Sequence, residues 1–355
     1  HTLILGWNER VINILDEIIN ANESEKKASI VILSDEDKEH MDDLITKRIQ
    51  DTKTSRVITT NGNISNAKEL RRVNAKDAKS IIIMASCSER ACDEAKVNSD
   101  VQTIKTIMAV ISTQQGKNGT PIIVEIFTEE KREIADHFTD NQIIAVDSWD
   151  IMGRLLMQTS LTSGLEVVYG EILSFHGAEI YFYKEEWGDM GFYDLIHHFK
   201  DGIPLGIYNN TEGIILRPPA QTKLKPEDSI IILAEDDSTI HYSTKRLYDF
   251  SGVKLKRLRT RLEKRKSRIL ILGWHFVAGF YVREANEYMV EGSVFDIMFN
   301  QPTKELEEII DSLKIKYPGF EINLIDSNPL KYEHLESVKP ETYDNIIILS
   351  QSLEE

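Results

Sequence analysis

A chain of 355 residues with a formal charge of −16 is long enough for more than one core, and too acidic to neutralise phosphates without specificity, which excludes a general nucleic-acid binder. With 41% apolar and 28% charged residues the composition is that of a soluble globular protein, and no run approaches the roughly 20 apolar residues of a membrane span. Cys87 and Cys92 supply neither a disulfide framework nor the spacing of a zinc site, so a reducing compartment is expected.

The chain opens without Met or a signal peptide, as an excised piece would, and His1 and Thr2 lead straight into an apolar run ending at Gly6 and Trp7. Asn8 reads as a helix N-cap, because Val11, Ile12, Leu15, Ile18 and Ile19 then fall on one helical face. Residues 29–33 predict a buried strand, 41–49 a helix, 56–60 a strand, 66–73 a short helix and 80–84 a fourth strand. A long helix is expected over 89–112, a strand over 121–127, a helix reaching His137 and a strand over 142–146. Such alternation predicts a parallel sheet with helices on both faces.

The pattern changes after Asp147. One further helix is expected over 149–161, followed by a smaller α+β lobe. Its strands are expected around Val167 and Ile180 and over 206–208, 213–216 and 229–233, with a helix over 193–199. His197 and His198 point to different faces of that helix and read as surface residues. Residues 254–268 then carry nine Lys and Arg against the single Glu263, a local charge of +8, and read as a solvated linker.

Beyond it the opening repeats: Leu3, Ile4, Leu5, Gly6 and Trp7 recur as Leu270, Ile271, Leu272, Gly273 and Trp274. Strands are expected over 268–272, 293–299, 320–325 and 345–349, with helices between them. The register is kept as well, since Gly6 precedes Ile81 by 75 residues and Gly273 precedes Ile346 by 73. The chain stops where the first copy begins its long helix, so the second unit is expected to be incomplete as supplied. The fold class expected is α/β, with tandem Rossmann-like doubly wound parallel sheets and a small α+β lobe after the first.

A dinucleotide-binding turn uses glycines for a tight bend and for close backbone approach to the pyrophosphate. Here Gly6 is followed by Asn8 and Val11, and Gly273 by His275, Ala278 and a displaced Gly279. Asp35 stands where a ribose-binding acid would, but Asn300 takes that place in the second copy. These degenerate turns, Gly6, Asn8, Asp35 and Gly273, read as a sheet kept without its nucleotide, and NAD or ATP is not expected to bind at Gly6. Among the acids, Asp147 and Asp150 fall between the last large-lobe strand and the crossover helix, a hinge where calcium would fix lobe orientation. Signatures of hydrolases, Walker loops and zinc proteases are absent from the sequence, so an enzyme is the weaker reading.

With these residues in view, the chain resembles the cytoplasmic region of the Castor/Pollux family of ion channels, built from tandem regulator-of-potassium-conductance (RCK) domains. The resemblance rests on the Leu-Gly-Trp turns, on 150–158 with Ser163, Gly164 and Leu165, on 171–175 with Ala178 and Glu179, and on 203–207, 231–237 and 343–349. It implies a first RCK large lobe with its crossover helix over 1–163, a small lobe over 164–250, a basic linker over 251–267 and a second large lobe over 268–355. It also implies a homotetrameric gating ring on the cytoplasmic side of a membrane, attached to a pore domain absent from this piece, with calcium or nucleotides as ligands. Some relatives place acids where Thr162 and Ser163 stand here. A peripheral regulatory subunit of a potassium transporter and a nucleotide-dependent enzyme are the alternatives.

Overall fold

The computed structural model describes residues 1–23, 25–88, 91–114, 120–138, 142–175, 177–248 and 266–349. Most of the expected basic segment, 254–265, lies outside the described residues. The chain forms two compact units, one of His1–Ser163 with Glu263–Glu355 and one of Gly164–Leu262.

The first lobe runs β1 (Thr2–Leu5), α1 (Val11–Ala21), β2 (Ala28–Ser34), α2 (Lys38–Arg48), β3 (Ser55–Asn61), α3 (Ala67–Arg72) and β4 (Ser80–Ile83). It continues through α4 (Asp93–Thr113), β5 (Ile122–Glu125), α5 (Glu129–Asp136), β6 (Ile143–Val146) and the crossover helix α6 (Ser148–Leu161). Its six strands pair in parallel in the order β3-β2-β1-β4-β5-β6, the doubly wound arrangement in which the chain reverses direction across the sheet between β1 and β4. The helices start where side chains satisfy the first N–H groups: Asp37 accepts from His40 N at 3.0 Å and Asn66 from Lys68 N at 2.9 Å. In α2, Glu39 in the first turn and Lys47 and Arg48 in the last also complement the helix dipole.

Burial on both faces explains the unbroken aliphatic strands. Leu3, Leu5, Ile81 and Ile83 are buried under α3, α4 and α5, while Ile4, Ile30 and Ile32 are buried on the other face with Val11, Leu15 and Ile19 of α1. The α1 residues lie four apart, so one helical face carries all three.

The small lobe opens with a helix, α7 (Leu165–Ile172), where the sequence suggested a strand around Val167. Val167 and Val168 are 69% and 46% exposed, so their β-branched preference finds no neighbouring strand to pair with, and local helical bonding prevails. Gly164, at φ +87°, turns the chain into it. Strands β7 (Glu179–Tyr183), β8 (Ile203–Asn209), β9 (Gly213–Leu216) and β10 (Ser229–Ala234) follow and form an antiparallel sheet ordered β7-β10-β8-β9. The helix expected over 193–199 is a 3-10 segment, Phe192–His197. His197 and His198 are buried, against the surface reading. A 3-10 segment three residues per turn tucks both under the sheet, where His198 Nδ1 lies 2.7 Å from Ser243 O and its ring stacks on Tyr242. Trp187, Leu195, Phe199, Ile230 and Ile232 form the core beside them.

The second large lobe comprises β11 (Arg268–Leu272), α8 (Val277–Tyr288), β12 (Val294–Phe299), α9 (Lys304–Lys316), β13 (Glu321–Asp326), α10 (Tyr332–Val338) and β14 (Asn345–Ile348). Its parallel order β13-β12-β11-β14 repeats β3-β2-β1-β4 strand for strand.

Candidate functional site

The two repeated turns share one geometry. Gly6 has φ +101° and its N–H donates to Leu33 O at 2.9 Å; Gly273 has φ +88° and donates to Met298 O at 2.9 Å. A Cβ on Gly6 would also lie 3.2 Å from Met84 O, so the glycine is required by both conformation and space.

After Gly6 the turn is used by the protein itself. Asn8 is not the N-cap, a position that falls on Arg10 without a side-chain acceptor. Instead Asn8 Oδ1 accepts from Arg10 N at 3.0 Å, and its amide donates to Ala85 O and to Glu125 Oε2, both at 3.2 Å. A long-range tie across β4 and β5 outweighs the local cap, because it satisfies the nearly buried Glu125 carboxylate, which also accepts from Ala85 N at 3.0 Å. Arg10 lies 2.5 Å from Glu125 Oε1, and its guanidinium donates to Ser148 Oγ at 3.0 Å, which links the turn to the first residue of α6. A backbone N–H that would face a phosphate is therefore occupied, and the nearest buried charge is negative.

A cleft of about 610 Å³ lies at this end of the sheet, lined by Trp7, Asn8, Glu36, His40, Arg48 and Cys87 among others. Asp35 is exposed and is not among its lining residues. Its carbonyl accepts from Asn61 Nδ2 at 3.0 Å, and Glu36 lines the cleft in its place. Asn300 in the second lobe is exposed too. Burial pushes the Cys87 thiol up, against the opposing Ser99 hydrogen bond, which lowers its reactivity.

A second constellation is the joint between α6 and α8. Asp147 caps α6, its Oδ1 accepting from Trp149 N at 3.0 Å and Asp150 N at 3.1 Å, while Oδ2 lies 2.9 Å from Arg132. Burial raises its carboxyl pKa, with Arg132 and the Trp149 N–H opposing. Asp150 is held between Arg154, at 3.0 Å, and Arg283 of α8; Arg154 also lies 3.5 Å from Glu284. Around these ion pairs, Trp149 and His275 bring their rings to 4.5 Å, and Lys96 of α4 places its ammonium over Phe276, 5.2 Å from the centroid. Met157 is fully buried in the core of the second lobe, and Ser160 Oγ lies 3.1 Å from Tyr281 Oη. Gly153 permits this approach, since a Cβ there would come within 2.5 Å of Phe280 Cβ. The sequence missed α8 as the partner of α6. Gly153, in the middle of α6, is the residue whose missing side chain hints at a close approach.

Asp147 and Asp150 thus come together with three arginines. Among the described residues no cluster of three or more acidic, His or Cys side chains is placed to hold a metal ion. A hard cation needs six or more oxygens, and to reach these two carboxylates it would first have to displace Arg132 and Arg283.

The doubled sheet, the altered turns and the helix joining the lobes define a tandem Rossmann-type region. Comparison with known proteins makes the class specific. Residues 1–124 match the family described as the calcium-activated potassium channel slowpoke-like RCK domain, and residues 149–249 match that described as Castor and Pollux, part of voltage-gated ion channel. The chain is 30% identical over 362 residues to the ion channel POLLUX of Lotus japonicus, covering 99% of this chain and 38% of that one. It is 29% identical over 357 residues to the ion channel DMI1 of Medicago truncatula, covering 99% of this chain and 39% of that one. Its fold is that of the human SLO3 gating ring, with a TM-score of 0.63 at 15% identity over 99% of this chain and 68% of that one. Along nearly its whole length the chain is similar to Castor and Pollux channels, with an RCK-type domain matched over residues 1–124. It spans about two fifths of the length of the relatives it matches.

Proposed function

We propose that this chain is the cytoplasmic gating-ring region of a cation channel, which couples ligand binding to the opening of an attached pore through the α6–α8 joint. The observation that carries this reading is the joint itself. It locks two Rossmann lobes through a buried helix face, and Arg10 bonds the N-terminus of that same helix to the glycine-poor turn. A change at the turn or at Asp147 is thereby felt at the contact between lobes, and a ligand shifts that contact as far as it binds one arrangement better than another. Among the described residues no helix is long and apolar enough to cross a membrane; the attached pore is part of the proposal. Four copies in a homotetrameric ring are part of the proposal. Calcium is its proposed ligand, and it would need oxygens beyond Asp147 and Asp150, whose carboxylates are already paired with Arg132, Arg154 and Arg283.

The test is patch-clamp recording of the full-length channel with calcium varied on the cytoplasmic side, for the native protein and for Asp150→Asn. The expected result is a calcium-dependent open probability whose midpoint shifts in the variant. Channel activity indifferent both to calcium and to loosening the joint by Gly153→Val would overturn the gating role. Indifference to calcium alone would overturn only the choice of ligand.

A further inference from the structure

The antiparallel sheet of the small lobe has two apolar faces but only one core. Tyr181, Tyr183, Ile207, Ile230 and Ile232 point into that core. Strand alternation and register put Ile180 and Phe182 of β7, Ile203 of β8, and Ile214 and Leu216 of β9 on the opposite face. These five side chains are 46 to 63% exposed. The rings of Phe182 and Tyr208 meet edge to face with centroids 5.3 Å apart and flank β10, where Ile231 is only 3% exposed. An antiparallel sheet facing water on one side normally alternates apolar and polar residues, and this one does not.

Charge lies at the two ends of this face. Lys184 follows β7 and lies opposite the start of β10; Glu235 follows β10 and lies opposite the start of β7. Both are exposed, both belong to the outer face by alternation, and neither forms an ion pair with another described residue. A two-fold axis that runs between two such faces, parallel to the plane of the sheet and perpendicular to its strands, exchanges the two ends. It would bring Lys184 of each copy against Glu235 of the other, while the aliphatic and aromatic centres stack.

We infer that the outer face of the β7-β10-β8-β9 sheet is a docking surface for the same face of a second copy of this chain, packed as a two-fold β-sandwich with reciprocal Lys184–Glu235 pairs. The exposed side chains offer on the order of 500 Å² per copy, which puts the pair near the lower limit of a specific interface and makes a weak, reversible dimer the expected species. The small-lobe dimer is independent of the gating reading, since it forms or fails whether or not a ligand acts at the joint.

Sedimentation equilibrium of the chain over a micromolar to millimolar range tests it, with thermal unfolding as a folding control. A reversible monomer–dimer equilibrium is expected, and Phe182→Glu should abolish it. Lys184→Glu and Glu235→Lys should each weaken it about tenfold, and the double variant should recover most of the loss because the reciprocal pairs are re-formed with signs exchanged. A monomer throughout, a dimer indifferent to Phe182→Glu, or a double variant no tighter than the single ones would overturn it. Should Phe182→Glu fail to fold, the charge exchange alone decides, because both of its positions are exposed loop ends.

Discussion

The two large lobes are built from the same strands and the same turn, yet they use them differently. In the first, Trp7 is half-buried beside an open cleft and the turn is stitched by Asn8, Arg10 and Glu125. In the second, Trp274 is 2% exposed within the core, and the residue after it, His275, faces Trp149 of the crossover helix. A repeated backbone therefore does not fix what each copy does. The elements that pack on it decide, and one copy becomes a cleft with a latch while the other becomes the seat of α6.

The sharpest way to break this comparison is to remove the equivalent indoles. Trp274→Ala should cost about 3–5 kcal/mol in denaturant unfolding, since it empties a packed core, and Trp7→Ala distinctly less because its ring already meets solvent. Equal losses would mean that the two turns are not used differently. Next in size is Gly153→Val, which forces branched carbon against Phe280 and the backbone of Tyr281. An overpacking loss of about 1–3 kcal/mol is expected, with the transition losing cooperativity as the lobes separate. An unchanged midpoint would show that α6 and α8 do not bear on one another in solution.

The smallest effect is expected at Asp147. Its carboxyl pKa is raised in the folded state, so as pH falls the folded chain takes up a proton before the unfolded one does. Its ionised form therefore detracts from stability at neutral pH, and that loss is relieved on acidification, starting above the ordinary carboxylate value of 3.8. Asp147→Asn keeps an acceptor for the Trp149 and Asp150 N–H groups and should stay within about 1 kcal/mol of the native chain at neutral pH. Below that, the native chain should gain relative to the variant, as thermal unfolding at a series of pH values will register. A native chain that instead loses ground on acidification would mean that the Arg132 pair outweighs burial.

The strands of both large lobes, their order of appearance and the doubling of the fold were legible in the sequence, because a strand buried on both faces writes itself as an uninterrupted aliphatic run and a glycine at positive φ has few substitutes. The caps at Asp37, Asn66 and Asp147 are local too, with side chains that reach only two or three residues along the chain, but the sequence reading named none of them. Asn8 shows where such reading stops: its sequence context suits a helix cap, but the carboxylate that claims its amide, Glu125, lies 117 residues away. Val167 shows the same limit for propensity, since whether a β-branched run becomes a strand depends on a neighbour that the run itself does not contain. The burial of His197 and His198 and the clasp of Asp150 between Arg154 and Arg283 were likewise set by tertiary packing. Each depends on which distant surface meets the element, a long-range choice that hydrophobic period and cap chemistry do not encode.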